Sequence, residues 1–460
     1  MADVDEDTTR RVESLITEWL HEQDVPGASV VIVDESGELY AEGFGARDLE
    51  SNAPATPDTL YGMGSISKPV TALCVLQLAE RGALAVEDPV GEYVDHFDEA
   101  PGDPITLREL LSHTSGMPAT SPGVLEQAFA GYPAGVADEE DRRRFVREAT
   151  AHRDTEGDRF MYYNTGYDIL GRVIEAVDGR AYAEYVREEV FAPLGMDRST
   201  FHAADIEGDD DWMTGYEPGD DGEPPTAVAF PFEELIYPAG GLVSSPRELS
   251  RFVRATMTDG ALDGHRLCSP ETVERAHQRR AVRQQFLDGA EQGYGFGWMR
   301  QPLAGDEAVG HGGSILASTA YAGFLEGAGV GVVLACNTTA EPHPMDVGAG
   351  VLALATGADP EAVPALAVRE CCDAVAGEYE SFRGDPVATV EPQGGSLSIE
   401  LSGSLGGEAF TAFPETLDPT DTQFYTVTQA GARAPVAFDL DGDRADMFFQ
   451  RHRFRRTGPE

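Results

Sequence analysis

The sequence predicts an α/β (α+β) protein: an antiparallel sheet flanked by helices, with a helical subdomain inserted over about 85–235. A small all-β barrel follows at the C-terminal end. Three observations predict this. Strand-like runs stand near both ends of the segment 1–358, helical patterns fill the interval between them, and beyond about 370 the texture changes to short alternating runs separated by turns.

In chain order, residues 8–22 carry Val12, Leu15, Ile16 and Leu20 at helical spacing. ASVVIVD (28–34) and ELYAEGFG (38–45) are strand runs joined by Glu35-Ser36-Gly37, a hairpin. Pro69–Ala79 is apolar almost all round, which predicts a fully buried helix ending at Gly82. Pro69 cannot lie deep in a helix, so this one starts within a turn upstream and puts Ser65 at its N-terminal edge. GYDILGRVIEAVDGR holds a helix closed by Gly179, and AYAEYVREEVF is another. Ser245-Pro246-Arg247-Glu248 has the pattern of a capping box with Pro at the first helical position, opening a helix to about Met257. Strand patterns return at YGFGWM (294–299), STAYAGFLE (318–326) and VGVVLACN (330–337). After an expected linker over 359–369, the segment 370–460 reads as the barrel. SLSIELSG, PVAFDL and MFFQRHRF are its strands, and Gly394-Gly395 and Asp441-Gly442-Asp443 are its turns.

Composition narrows the function. With 81 acidic against 33 basic residues the formal charge is −48, spread along the chain. Such a field repels nucleic acid and anionic membranes and suits high salt, so a halophilic setting is expected. The five cysteines have no metal spacing and read as scattered buried thiols, consistent with a cytoplasmic protein. No run approaches the ~18 apolar residues of a membrane span. Arg10-Arg11 is followed by a charged amphipathic stretch and not by the apolar core of a signal peptide. The G-x-G pairs at Gly43-Gly45 and Gly295-Gly297 lack a third glycine and a following helix, so they read as strand features. There is no P-loop and no H-E-x-x-H, and the histidines are too scattered to hold a metal. No cofactor is expected.

Of the 33 Lys and Arg, one alone is lysine: Lys68, in GSISKPV (64–70). Ser65 and Lys68, three apart at a helix start, face the same side. A lysine of depressed pKa can take a serine proton, whereas a guanidinium stays protonated. A chain that otherwise uses arginine therefore keeps lysine where a proton must move. N–H groups at that helix start can stabilise an oxyanion. Tyr162-Tyr163-Asn164 offers a phenol that a cationic lysine would hold as phenolate, plus an amide to position a carbonyl. His311-Gly312-Gly313-Ser314 lets a substrate lie along a strand edge, with the next N–H completing an oxyanion hole.

Together, in this order and at these intervals, the three elements resemble the penicillin-binding-type serine hydrolases, in particular the class C β-lactamase-like branch. The resemblance extends over LRELLSHTSGMP (107–118), YYNTGYDILGRVIE (162–175), VFAPLGM (190–196) and PAGGLVSSPRELSRF (238–252), and covers roughly residues 10–358. It implies the β-lactamase/transpeptidase-like fold. By it, Ser65 is the acylated nucleophile, Lys68 its activator and Tyr162 the general base and later acid. Asn164 orients substrate and Lys68, His311 and Gly313 line the substrate, and the N–H groups of Ser65 and Ser314 form the oxyanion hole. His113, in LLSHTSG, is implied as scaffold. The box occupied by Lys-Thr-Gly in β-lactamases is here His311-Gly312-Gly313, and histidine weakens the hold on a substrate carboxylate. The expectation is therefore hydrolysis of a small ester, amide or peptide through an acyl-enzyme. A D-aminopeptidase or β-lactamase-like amidase is the alternative, and a silent binding protein of the same fold a further one. The tail is similar to the lipocalin-like or small-barrel domains of some family members. Oligomeric state is not legible.

Overall fold

The computed structural model describes residues 4–95, 100–118, 147, 149–155, 159–219, 223–404, 407–442 and 444–457; the stretch 119–146 of the expected helical subdomain lies outside them. The chain divides into two compact units, Met1–Gln284 with Glu291–Gly357, and Gln285–Ala290 with Ala358–Glu460.

In the first unit, helix α1 (Glu6–Glu22) is N-capped by Asp5, whose carboxylate accepts from Thr8 N–H. Strands β1 (Gly27–Asp34), β2 (Glu38–Asp48) and β3 (Ala53–Pro54) follow. Much later come β4 (Ala281–Gln285), β5 (Glu291–Tyr294), β6 (Met299–Leu303), β7 (Asp306–Ile315), β8 (Ser318–Leu325) and β9 (Val330–Cys336). They make one nine-stranded sheet in the order β4-β5-β6-β7-β8-β9-β1-β2-β3. Its centre, β9 against β1 and β8, is antiparallel, so the first and last thirds of this unit meet in the middle of the sheet.

The intervening helices are α2 (Ser67–Glu80), α3 (Asn164–Asp178), α4 (Pro246–Met257) and α5 (Pro270–His277), with α6 (Pro344–Ala355) after β9. A Cβ on Gly331 would meet Val253 of α4, and one on Gly348 of α6 would meet Tyr321. Gly331 pairs with Phe324, an odd number of residues from Tyr321, so α4 and α6 cover opposite faces. Helix α2 is buried on nearly every side, as its composition predicts, and joins one large core with α3 and α4. Among the described residues no helix is long and apolar enough to cross a membrane.

Four local readings change. YGFGWM is not one strand: β5 stops at Tyr294 and β6 starts at Met299. A Cβ on Gly295 would lie 2.4 Å from Ala276 O, and one on Gly297 2.9 Å from Lys68 O, so these glycines mark close packing against α5 and α2 rather than strand positions. His311-Gly312-Gly313-Ser314 stands before the strand β8 but is itself strand, inside β7, and not a glycine turn. MFFQRHRF is a hairpin that turns at Gln450, whose φ is 51°. At α4 the capping box is half made. Ser245 Oγ accepts from Glu248 N–H, while the Glu248 carboxylate turns to Arg198 N–H and Ser199 Oγ.

The second unit is a closed eight-stranded barrel preceded by helix α7 (Pro364–Val375), which occupies most of the expected linker. Its strands are β10 (Gly377–Glu380), β11 (Val387–Gln393), β12 (Ser396–Ser402), β13 (Glu408–Pro414), β14 (Gln423–Val427), β15 (Arg433–Asp441), β16 (Arg444–Phe449) and β17 (His452–Arg456). Val368, Cys371, Cys372 and Val375 of α7 join the barrel core around Phe438 and Met447. All five cysteines are buried and free.

Candidate active site

Ser65 sits in a 3-10 turn, Gly64–Ile66, that runs directly into α2. The turn is fastened at both ends. Met63 N–H donates to Leu242 O (2.7 Å), and Ser67 Oγ donates to Gly64 O (2.9 Å) while accepting from Leu242 N–H (3.0 Å). Gly64 has φ +50°, and a Cβ there would stand 2.6 Å from Ser314 N. On β7, a Cβ on Gly313 would stand 2.0 Å from Met63 O and 3.2 Å from Ser65 N. Two glycines thus let the turn and the strand approach backbone to backbone, bringing Ser65 and Ser314 together. β6 pairs with β7 only as far as Gly310, so from His311 onward that edge of β7 is left to the turn.

Lys68, one helical turn on, is fully buried. Its Nζ lies 3.0 Å from Ser65 Oγ and donates to Ala239 O at 2.7 Å. It also sits 4.8 Å from the centroid of the Tyr162 ring and 5.6 Å from that of Tyr167. No carboxylate among the described residues forms an ion pair with it. Burial therefore dominates and pulls its pKa down to about 7, with the more distant Asp168 charge opposing the shift.

Burial holds the Tyr162 hydroxyl well above the usual phenol range, with the nearby Ser65 hydroxyl opposing the shift. The expectation of a phenolate beside a cationic lysine is therefore reversed: near neutral pH the phenol keeps its proton and the amine shares its own. Asn164 opens α3, half-buried, with no side-chain hydrogen bond among the described residues, so nothing here ties it to Lys68.

His311 is buried; its Nδ1 lies 2.5 Å from Gly312 O and its Nε2 3.1 Å from the Tyr294 hydroxyl. Burial, helped by the Lys68 charge, pulls it to about 3, so it is a neutral imidazole, not a cationic replacement for lysine. His113 packs beside the site as scaffold: it accepts from Tyr163 N–H at 3.1 Å and its ring lies 4.3 Å from that of Tyr162.

Sequence reasoning did not find Tyr294, whose hydroxyl fixes His311, nor His343, whose Nε2 is 2.9 Å from Ser314 Oγ. Tyr294 lay in a run read as strand, and His343 lies outside every motif. The Lys68 acceptor, Ala239 O, lay in PAGGLV, noted as a match but given no role.

A family model described as Beta-lactamase matches residues 12–356, and one described as Pab87 octamerisation domain matches 360–455. Protein flp of Staphylococcus aureus strain MW2 is 28% identical over 251 residues, 54% of this chain and 49% of that protein, so the chain spans about half the length of this relative. Esterase EstB of Burkholderia gladioli is 30% identical over 371 residues, 72% of this chain and 91% of the esterase. The octameric penicillin-binding protein homologue from Pyrococcus abyssi superposes with a TM-score of 0.88 at 31% identity, covering 97% of this chain and 100% of that one. A D-stereospecific amidohydrolase from Streptomyces superposes with a TM-score of 0.57 at 26% identity, over 72% and 94%.

Proposed function

The chain belongs to the beta-lactamase family, and on that premise we propose that it hydrolyses esters or small amides through an acyl-enzyme at Ser65. The fold and the relatives support a serine hydrolase of that superfamily. The observation that carries the finer reading is the Lys68 amine, 3.0 Å from Ser65 Oγ, buried without an ion-pair partner among the described residues and shifted to about 7. Its neutral form donates to Ala239 O and presents its lone pair to the serine proton.

In this reading Lys68 takes the proton as Ser65 Oγ attacks the carbonyl. The N–H groups of Ser65 and Ser314 receive the developing oxyanion. Tyr162, near Ser65 and still protonated, relays a proton to the leaving group and later helps water release the acyl chain. Asn164, His311 and Gly313 line the substrate. The neutral, Tyr294-bound imidazole of His311 favours uncharged acyl groups close to that wall. Likeness to the esterase over most of its length supports ester substrates, while the amidohydrolase likeness keeps a D-aminopeptidase or other amidase as the second reading. The match over 360–455 and the octameric homologue support assembly into an oligomer through the barrel domain, which we place at about 370–460 after a connecting segment. The −48 charge supports a working medium of high salt.

A fluorophosphonate probe and a chromogenic short ester, both at high salt, test this. Wild type is expected to be labelled and to turn over, and Ser65→Ala to lose labelling and about a thousandfold or more of the rate. Equal behaviour of the two proteins would sink the reading.

A further inference from the structure

The first turn of α2 is joined to the segment 238–242 by neighbouring side-chain bonds, of which Lys68 makes only one. Its Nζ donates to Ala239 O at 2.7 Å. On either side, Ser67 Oγ accepts from Leu242 N–H at 3.0 Å and Thr71 Oγ1 donates to Pro238 O at 2.7 Å. Ser67 and Thr71 stand one helical turn apart, so both hydroxyls face this segment. The reaction described above gives Thr71 no part.

Thr71 has a single hydroxyl proton and is surrounded by acceptors. Pro238 O and Ser67 O, the latter at 3.1 Å on its own helix, can only accept. Tyr182 Oη, from the helix Tyr182–Val186, lies 2.8 Å from Thr71 Oγ1. The Thr71 proton goes to the nearer carbonyl, so the Tyr182 hydroxyl donates to Thr71 Oγ1 and keeps that proton turned toward Pro238. The phenol has no other hydrogen-bond partner among the described residues, and Thr71, Tyr182 and Pro238 are all buried. Helix α3 closes on the same proline, since a Cβ on Gly171 would stand 2.3 Å from Pro238 Cγ. Ala239 O is the next carbonyl along. It occupies one Lys68 N–H and so leaves the amine lone pair to Ser65 Oγ, 3.0 Å away. A carbonyl free to swing would let the amine turn with it.

We propose that Thr71, supported by Tyr182, is a positioning residue: it holds the peptide between Pro238 and Ala239 so that Ala239 O fixes the direction of the Lys68 amine. This rests on Lys68 serving as the base for Ser65, and one arm of the test needs no turnover. The groups around the amine are Tyr162, Tyr167 and Asp168 of α3, His113, and His311 of β7. The phenols and imidazoles are neutral, which leaves Asp168 as the charge acting on it. Thr71→Val changes none of these groups. It releases Ala239 O, an acceptor that favours the ammonium form, so the amine should bind its proton more weakly.

Because the chain has a single lysine, isotopically labelled lysine gives one side-chain NMR signal that follows Lys68 through a pH titration. Thr71→Val is expected to lower the proton affinity read from it about threefold or more. With a chromogenic ester at plateau pH, kcat should fall about tenfold or more while KM changes less than about threefold. Thr71→Ser keeps the hydroxyl and should restore both readings, and Tyr182→Phe should reproduce them in smaller measure. Should Thr71→Val fail to fold by circular dichroism, Tyr182→Phe decides on the same readings. If wild type turns over no ester but the proton affinity falls in the variant, the base role of Lys68 fails and the positioning role of Thr71 stands. A proton affinity that does not fall in the folded variant overturns the proposal whatever kcat does, and so does a fall that leaves kcat at the wild-type value.

Discussion

Each unit of the molecule buries a charged side chain, and the two are treated in opposite ways. Asp446, on barrel strand β16, is covered by Arg444, Arg453 and Arg455, at 3.1, 2.6 and 3.4 Å. The Arg453 hydrogen bond, with the other two guanidiniums, holds its carboxyl below the usual range, so it stays ionised. Lys68 is more deeply buried and is given a serine hydroxyl, a backbone carbonyl and two aromatic rings instead of an acid. Its charge is therefore unsupported and its proton is labile near neutrality. The difference teaches how to separate structural from chemical charges in this fold: a buried ion supplied with counter-ions serves the architecture, and one denied them is available for proton transfer.

The largest effect that can break this comparison is Lys68→Arg. It keeps a positive charge and removes the titration, so kcat/KM for a chromogenic ester should fall about a thousandfold or more with the circular dichroism spectrum retained. Near-wild-type activity would show that proton transfer by Lys68 is not what the site needs.

Next is the pH profile. Because the amine must be neutral and its pKa is about 7, kcat/KM should rise with pH to a plateau above that value. It should drop about hundredfold by pH 5. Asp168 raises the Lys68 pKa, so Asp168→Asn should move this limb toward lower pH, a displacement read from the same titration. A limb that stays put or moves upward contradicts the assignment.

The smallest effect is on the structural side. A depressed carboxylate pKa contributes stability above the unfolded value of about 3.9 and loses it as pH falls through the folded value. Asp446→Asn should therefore cost about 1 kcal/mol at neutral pH, less at high salt, and nothing once the pH lies below both values. Thermal melts of the full chain across pH check this. Activity should not follow the change.

How much of this could be read from the chain depended on whether the cause was local. The Ser65–Lys68 spacing, the buried α2 and the capped ends of α3 and α4 all follow from residues within a turn of one another. The misread segments were decided by distant neighbours. AVGHGGSI is poor in β-branched residues and so looks like a turn, yet it becomes strand because β8 pairs along its whole length. YGFGWM looks like a strand, yet Gly295 and Gly297 are there because helices from elsewhere in the chain press on them. The phenolate expected for Tyr162 failed for a related reason. The motif supplies a lysine beside a tyrosine, but only burial decides which of the two gives up its charge.

One feature of the site reaches beyond catalysis. The single lysine of the sequence is also one of its most deeply buried side chains, so the folded surface offers no ε-amine to solvent. Amine-directed acylation or glycation should then spare the native protein apart from its N-terminus. Opening of the first unit would uncover one new reactive position, so the mass of a labelled chain becomes a counter of unfolding events.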